Sequence, residues 1–228
     1  MLIFYNPLIF AITININIVE INFYKSTGIL LITGSLLASI TMVLHPTGGN
    51  MQHISNIATS LQITHALAIF CLPCILFGFY GITHKLSDVW RVSTLAFIIT
   101  AFGLFAVMLS AVFNGLVLPS FLIEYSENIA QHNTILHYGF TINKAFDYVF
   151  IISLCLAITI YSIIIITSKK LSKWIGYLGI IIMILAIVGA TINFVFASLT
   201  GFRIVIFSIV AWTVYSGVAL ITSKKQSS

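Results

Sequence analysis

Six apolar stretches, each near or above the ~20 residues a helix needs to cross the hydrocarbon layer, divide this chain of 228 residues. They predict membrane-spanning helices over about 28–44, 57–83, 92–118, 145–167, 175–199 and 204–222. The breaks between them have recognisable chemistry. Pro46 stops the first span and biases His45 away from helical dihedrals, and Thr47-Gly48-Gly49-Asn50 reads as a turn. Pro73 falls inside the second span and predicts a kink, while Pro119 ends the third. None of the runs alternates in polarity with the ~10-residue length of a barrel strand.

The expected architecture is therefore all-α, a polytopic membrane protein with a six-helix domain over 25–222 and a polar tail over 223–228. Residues 1–24 are apolar but broken by Asn6, Pro7, Asn15, Asn17, Glu20 and Asn22. They lack the positive start and small-residue cleavage site of a secretory signal. They read as an interfacial segment, an extra span or an upstream extension, since Lys25-Ser-Thr-Gly28 opens a much cleaner apolar run. The longest polar connection, 120–144, holds Glu124, Glu127, His132 and His137, and much of it is expected to lie on the membrane surface as an amphipathic helix.

Composition sharpens this picture. Hydrophobic residues make up 60% and charged residues only 7%, against about 25% charged in an ordinary soluble domain, and mean hydropathy is +1.12. The net charge of +5 forms no dense basic patch, which argues against nucleic acid as a partner and for the lipid bilayer. Of ten Lys and Arg, eight flank one set of loops: Lys25, Lys85, Arg91, Lys169, Lys170, Lys173, Lys224 and Lys225. Only Lys144 and Arg203 fall on the other side. The positive-inside rule puts the eight in the cytoplasm, so a multi-pass cell-membrane protein is expected, with both ends of the six-helix unit inside.

That sidedness gathers the polar groups. His45, His53, His132 and His137 fall on the side poor in Lys and Arg, and His65, Asn114, Asp147 and Asn193 lie in the half of their spans nearest to it. A charge at mid-membrane costs ~2.5–3.5 kcal/mol on insertion scales, so such residues face a cavity or a partner. Ala106, Ser110 and Asn114, and likewise Gly189, Asn193 and Ala197, recur every fourth residue and form small-residue stripes suited to close helix packing. His45, His65, Asn114, His137, Asp147 and Asn193 are accordingly expected to line an outward-facing pocket for a small molecule, ion or lipid headgroup.

Other chemistries draw on the same residues. His53, His65, His132 and His137 are candidate ligands for a transition metal, although no HExxH spacing exists. A b-type haem would take His65 with His137 as its axial pair. Cys71-Leu72-Pro73-Cys74 has the form of a thiol-exchange pair, yet it sits mid-membrane and lacks a second pair to relay electrons, so packing is the better reading. Asp147, three residues after Lys144, is compatible with an ion pair at a helix start. Trp90 and Trp174 suit an interfacial aromatic belt, and Trp212 packing inside the bundle. An accessory membrane subunit with no site of its own is the remaining alternative.

Overall fold

The computed structural model describes residues 7–47, 51–124, 129–168 and 170–223, with side-chain surroundings from residue 22 onward except at 51 and 129–133. Among the described residues it is 92% helical and contains no strand. The helices are α1 (Pro7–Leu44), α2 (Met51–Lys85), α3 (Trp90–Ala111), α4 (Leu118–Glu124), α5 (Ile129–Ser168), α6 (Lys173–Thr191) and α7 (Leu199–Thr222). A wide π turn, Val112–Val117, joins α3 to α4. Among the described residues, six stretches are long and apolar enough to cross a membrane, the third running through α3, the π turn and α4. The chain is an all-α polytopic membrane protein.

Each span packs beside its sequence neighbour, and α7 returns to α1, which closes the bundle into a ring. Small residues set the closest approaches. Gly28 of α1 and Gly217 of α7 lie so near that a Cβ on either would meet the other's carbonyl oxygen, and a Cβ on Gly34 would meet Cys74 and Ile75 of α2. Ser35 of α1 shares a 2.8 Å hydrogen bond with Thr213 of α7. Outside the ring, Ile98 and Phe102 of α3 and Ile181, Ile184 and Leu185 of α6 are exposed, the face such a bundle presents to lipid.

The interior changes character along the axis. Towards the lysine-rich end it is plugged by aromatics: Trp212 stacks on Phe79 at 6.0 Å and lies 6.2 Å from Tyr161. The polar atoms of this plug are satisfied, Trp212 by donating to the Ile175 carbonyl and Tyr161 by a 2.7 Å bond with Thr83. At the same end Lys170 pairs with Asp88 at 2.9 Å, and Trp90 and Trp174 are exposed. The three cysteines are free thiols, and Cys71 is buried with its Sγ–H on the Ala68 carbonyl.

Several sequence expectations need correction. The helix expected to stop at Pro119 continues to Glu124, because the π turn just before it loosens the ladder where proline offers no N–H to the Gly115 carbonyl; Leu118 N–H reaches back five residues to Phe113 instead. Much of the segment expected to lie flat on the membrane instead continues the helices of the neighbouring spans: α4 takes up its start, and α5 begins at Ile129 rather than 145. Helix α2 starts at Met51 rather than 57. At about 1.5 Å per residue, α2 and α3–α4 are near 50 Å long and α5 is near 60 Å, and all three outrun a ~30 Å hydrocarbon layer. Their projecting ends share a small core of Ile54, Leu61, Leu118, Leu122 and Leu136.

The fifth span also ends early. Helix α6 stops at Thr191, and α7 starts at Leu199 behind Ser198, whose side chain accepts from Gly201 N–H. Asn193 is what stops it. It adopts a left-handed φ of 58°, its N–H reaches the Ala190 carbonyl, and Phe194 N–H reaches that of Gly189, a Schellman closure with asparagine where glycine is usual. The stripe expected through Gly189, Asn193 and Ala197 is thus not on one helix.

Candidate functional site

Where α1 ends, the ring is not filled. A cavity of about 390 Å3 opens there, walled by α1, α2, α3 with its π turn, α5 and the start of α7. Each wall contributes residues about twenty positions from the lysine-rich end of its span, or ~30 Å of helix, which sets the cavity at the opposite boundary of a hydrocarbon layer. A smaller apolar cavity of about 90 Å3 adjoins it, sharing Thr41, Met42, Ala68, Val107 and Phe202.

Asp147 of α5 is buried in the wall. Its Oδ2 accepts from Asn143 Nδ2 at 2.9 Å, one turn earlier on the same helix face. The Ser110 hydroxyl of α3 stands 2.8 Å from Asp147 Oδ1 and 2.6 Å from Asn143 Oδ1. These bonds tie α3 to α5 and offset the cost of a carboxyl group removed from water. The expected ion pair with Lys144 is not formed: Lys144 lies on the cavity wall, and among the described residues Asp147 is bonded to Ser110 and Asn143 instead.

Across the cavity stand two imidazoles. His65 is buried on α2, with Nδ1 at 2.8 Å from the Leu61 carbonyl one turn back. His45 follows the last residue of α1, with Nδ1 at 2.8 Å from the Pro46 carbonyl. Their Nε2 atoms are 3.3 Å apart. Burial pushes the His45 pKa below its ordinary value, the hydrogen bond at Pro46 acts in the opposite sense, and the Arg203 guanidinium lowers it further. Arg203 reaches from α7 to the end of α1, donating from Nε to the Met42 carbonyl and from Nη2 to that of His45. A cation on carbonyls left bare at a helix C-terminus is doubly favourable. Behind His65 lies Gly115 of the π turn, where a Cβ would overlap the imidazole ring.

Of the expected pocket residues, His45, His65, Asn114 and Asp147 line this cavity. His137 and Asn193 do not: His137 is exposed on α5, and Asn193 is exposed in the turn after α6. The expected haem pair is not assembled, since His65 faces His45 and not His137. Nor are the four candidate metal ligands brought together. His53 is exposed with Nε2 3.1 Å from the Thr47 carbonyl, and the His132 side chain and Glu127 lie outside the described residues. Among the described residues no group of three His, Cys, Asp or Glu side chains is placed to hold a metal.

Asn143 and Arg203 were missed as site residues. The four-residue spacing from Asn143 to Asp147 was the available signal for the first; nothing in the sequence pairs Arg203 with the end of a helix 158 residues earlier. The chain matches no protein-family model, no curated protein and no solved structure.

Proposed function

We propose that this membrane protein binds a small polar or ionic ligand in the cavity at the histidine end of its bundle, for transport or sensing. One observation carries the reading: a buried carboxyl group, Asp147, is held by Ser110 and Asn143 on a cavity wall that also presents His45, His65, Asn114 and Lys144. A polar network serving only to join helices needs no open volume of about 390 Å3 beside it. The adjoining apolar cavity suits a ligand, such as a lipid headgroup with part of its chain, that carries an apolar group behind its polar one. By the loop distribution of Lys and Arg, the cavity faces the outside of the cell membrane and both ends of the six-helix unit are cytoplasmic.

Thermal unfolding of the detergent-purified chain, in separate series of inorganic cations, small amines, carboxylates, phosphates and lipid headgroup analogues, tests the reading. At least one series is expected to stabilise the wild type in a concentration-dependent way, and Asp147→Asn and His65→Gln to lose that shift while staying folded. Equal shifts in wild type and variants, or none with any series, would leave a network that only fastens α3 to α5. Cysteine labelling tests the orientation: residues substituted at positions 53 and 170 must react from opposite sides.

A further inference from the structure

The two histidines pose a question of hydrogens. Backbone carbonyls only accept, so the 2.8 Å contacts to Pro46 and Leu61 require a proton on Nδ1 of both His45 and His65. In the neutral rings each Nε2 then carries a bare lone pair, and the two lie 3.3 Å apart. The ring centroids are 4.8 Å apart, farther than the nitrogens, so the rings lean together at their Nε2 edges. Two converging lone pairs in a cavity wall repel unless a cation joins them.

The separation is one that a bridging metal takes up: two ligands of a tetrahedral ion with metal–nitrogen bonds of ~2.0–2.1 Å stand about 3.3–3.4 Å apart. A backbone carbonyl on the far nitrogen is also the arrangement that fixes tautomer and orientation in metal-ligating histidines. His65 is further held by Gly115 behind it, and the His45 carbonyl is anchored by Arg203. We infer that His45 and His65 supply two imidazole ligands to a divalent transition metal of the Zn2+ type, whose other positions open into the cavity.

This deepens the reading of the cavity as a ligand site and rests on it. With no third His, Cys, Asp or Glu beside the pair among the described residues, the remaining positions fall to water or to donor atoms of the bound ligand. Around the pair, Arg203 on α7 and Lys144 on α5 oppose a cation and Asp147 on α5 favours it; the guanidinium is engaged with carbonyl oxygens.

The test is titration of the chelator-treated full chain in detergent with Co2+, then competition by Zn2+. The expected result is one ion per chain with the intense visible absorption of a tetrahedral Co2+ centre, displaced by Zn2+. His45→Gln and His65→Gln should each weaken binding at least tenfold, with His53→Gln and His137→Gln unchanged. His45→Gln keeps the test sound should the buried His65 variant fold poorly. Binding that survives His45→Gln, or no binding with an NMR titration showing one proton shared between the rings, would overturn the assignment. If metal binding fails while Asp147-dependent ligand stabilisation persists, only the metal site falls; if both fail, the cavity reading falls with it.

Discussion

Gly115→Ala isolates the contact that holds His65 in place. In the π turn this Cα abuts the imidazole, so an added methyl group overlaps ring atoms and forces His65 away from the Leu61 carbonyl and from His45. Overpacking of this kind costs ~1–3 kcal/mol, and an interhelical hydrogen bond in a membrane ~0.6 kcal/mol on average. Alanine's helix propensity returns up to ~1 kcal/mol, leaving a net loss of about 1–3 kcal/mol. Gly139 on α5 is the control, since a Cβ there would sit 3.4 Å from Leu118 Cδ2, an ordinary contact, so Gly139→Ala should be neutral or stabilising by up to ~1 kcal/mol. Reversible unfolding by SDS in mixed micelles, followed by circular dichroism, measures both. In a His65→Ala background the ring is gone, and Gly115→Ala should become neutral or mildly stabilising, a coupling of about 2–3 kcal/mol. Additivity within ~0.5 kcal/mol would refute the reasoning, because it would mean the methyl group is accommodated without disturbing the ring.

Three further outcomes are expected. Because the folded-state pKa of His45 lies below its ordinary value, the unfolded chain takes up the proton first; in chelator-containing buffer, stability should fall as pH drops below ~6.5 and level off beneath the folded pKa, with no contribution from this group above that range. His45→Gln should make that limb shallower, and superimposable profiles would count against it. Trp212→Phe, losing the bond to the Ile175 carbonyl, should cost about 1 kcal/mol and Trp212→Ala ~3–5 kcal/mol, with ligand and metal binding unchanged in the folded fraction. Arg203→Met, which leaves two carbonyls at the end of α1 without their cationic donor, should destabilise by ~1.5–3 kcal/mol in the same SDS titration.

The six spans were legible because lipid excludes charge, so run length and loop chemistry mark each crossing. What lies past the membrane boundary follows other rules. Between Ser120 and Lys144 the polar residues suggested a surface connection, but a helix that projects into water on a small core of its own carries Glu124 and His137 at little cost. Pro119 read as a stop because the rule assumes an α ladder before it, and a π turn relaxes that ladder. Asn193 read as a pocket residue on a stripe of period four; its tolerance of a left-handed φ was the competing property, and it won. Asp147 was recognisable as a buried carboxyl group in an apolar run, and its partner Asn143 lay four residues away on the same face. The approach of His45 to His65 was not legible, since it depends on where α1 stops relative to α2.

That stopping point explains why a site arises at this level of the bundle. Towards the lysine-rich end six helices share one interior, and Phe79, Tyr161 and Trp212 fill it. Among the described residues only α2, the α3–α4 helix and α5 continue beyond the far boundary, since α1 ends at Leu44, α6 at Thr191, and α7 begins only at Leu199. At the step between six helices and three, inward-facing side chains of the long helices lose their neighbours. Apolar residues there would meet water, whereas Ser110, Asn114, Asn143, Asp147 and His65 make use of it, and the bare carbonyls at the end of α1 attract Arg203. If the step creates the site, extending α1 should close it. Replacing Pro46-Thr-Gly-Gly-Asn50 with a helical Ala-rich segment of greater length is therefore expected to abolish Co2+ binding and ligand stabilisation together, even though every cavity residue named here is retained.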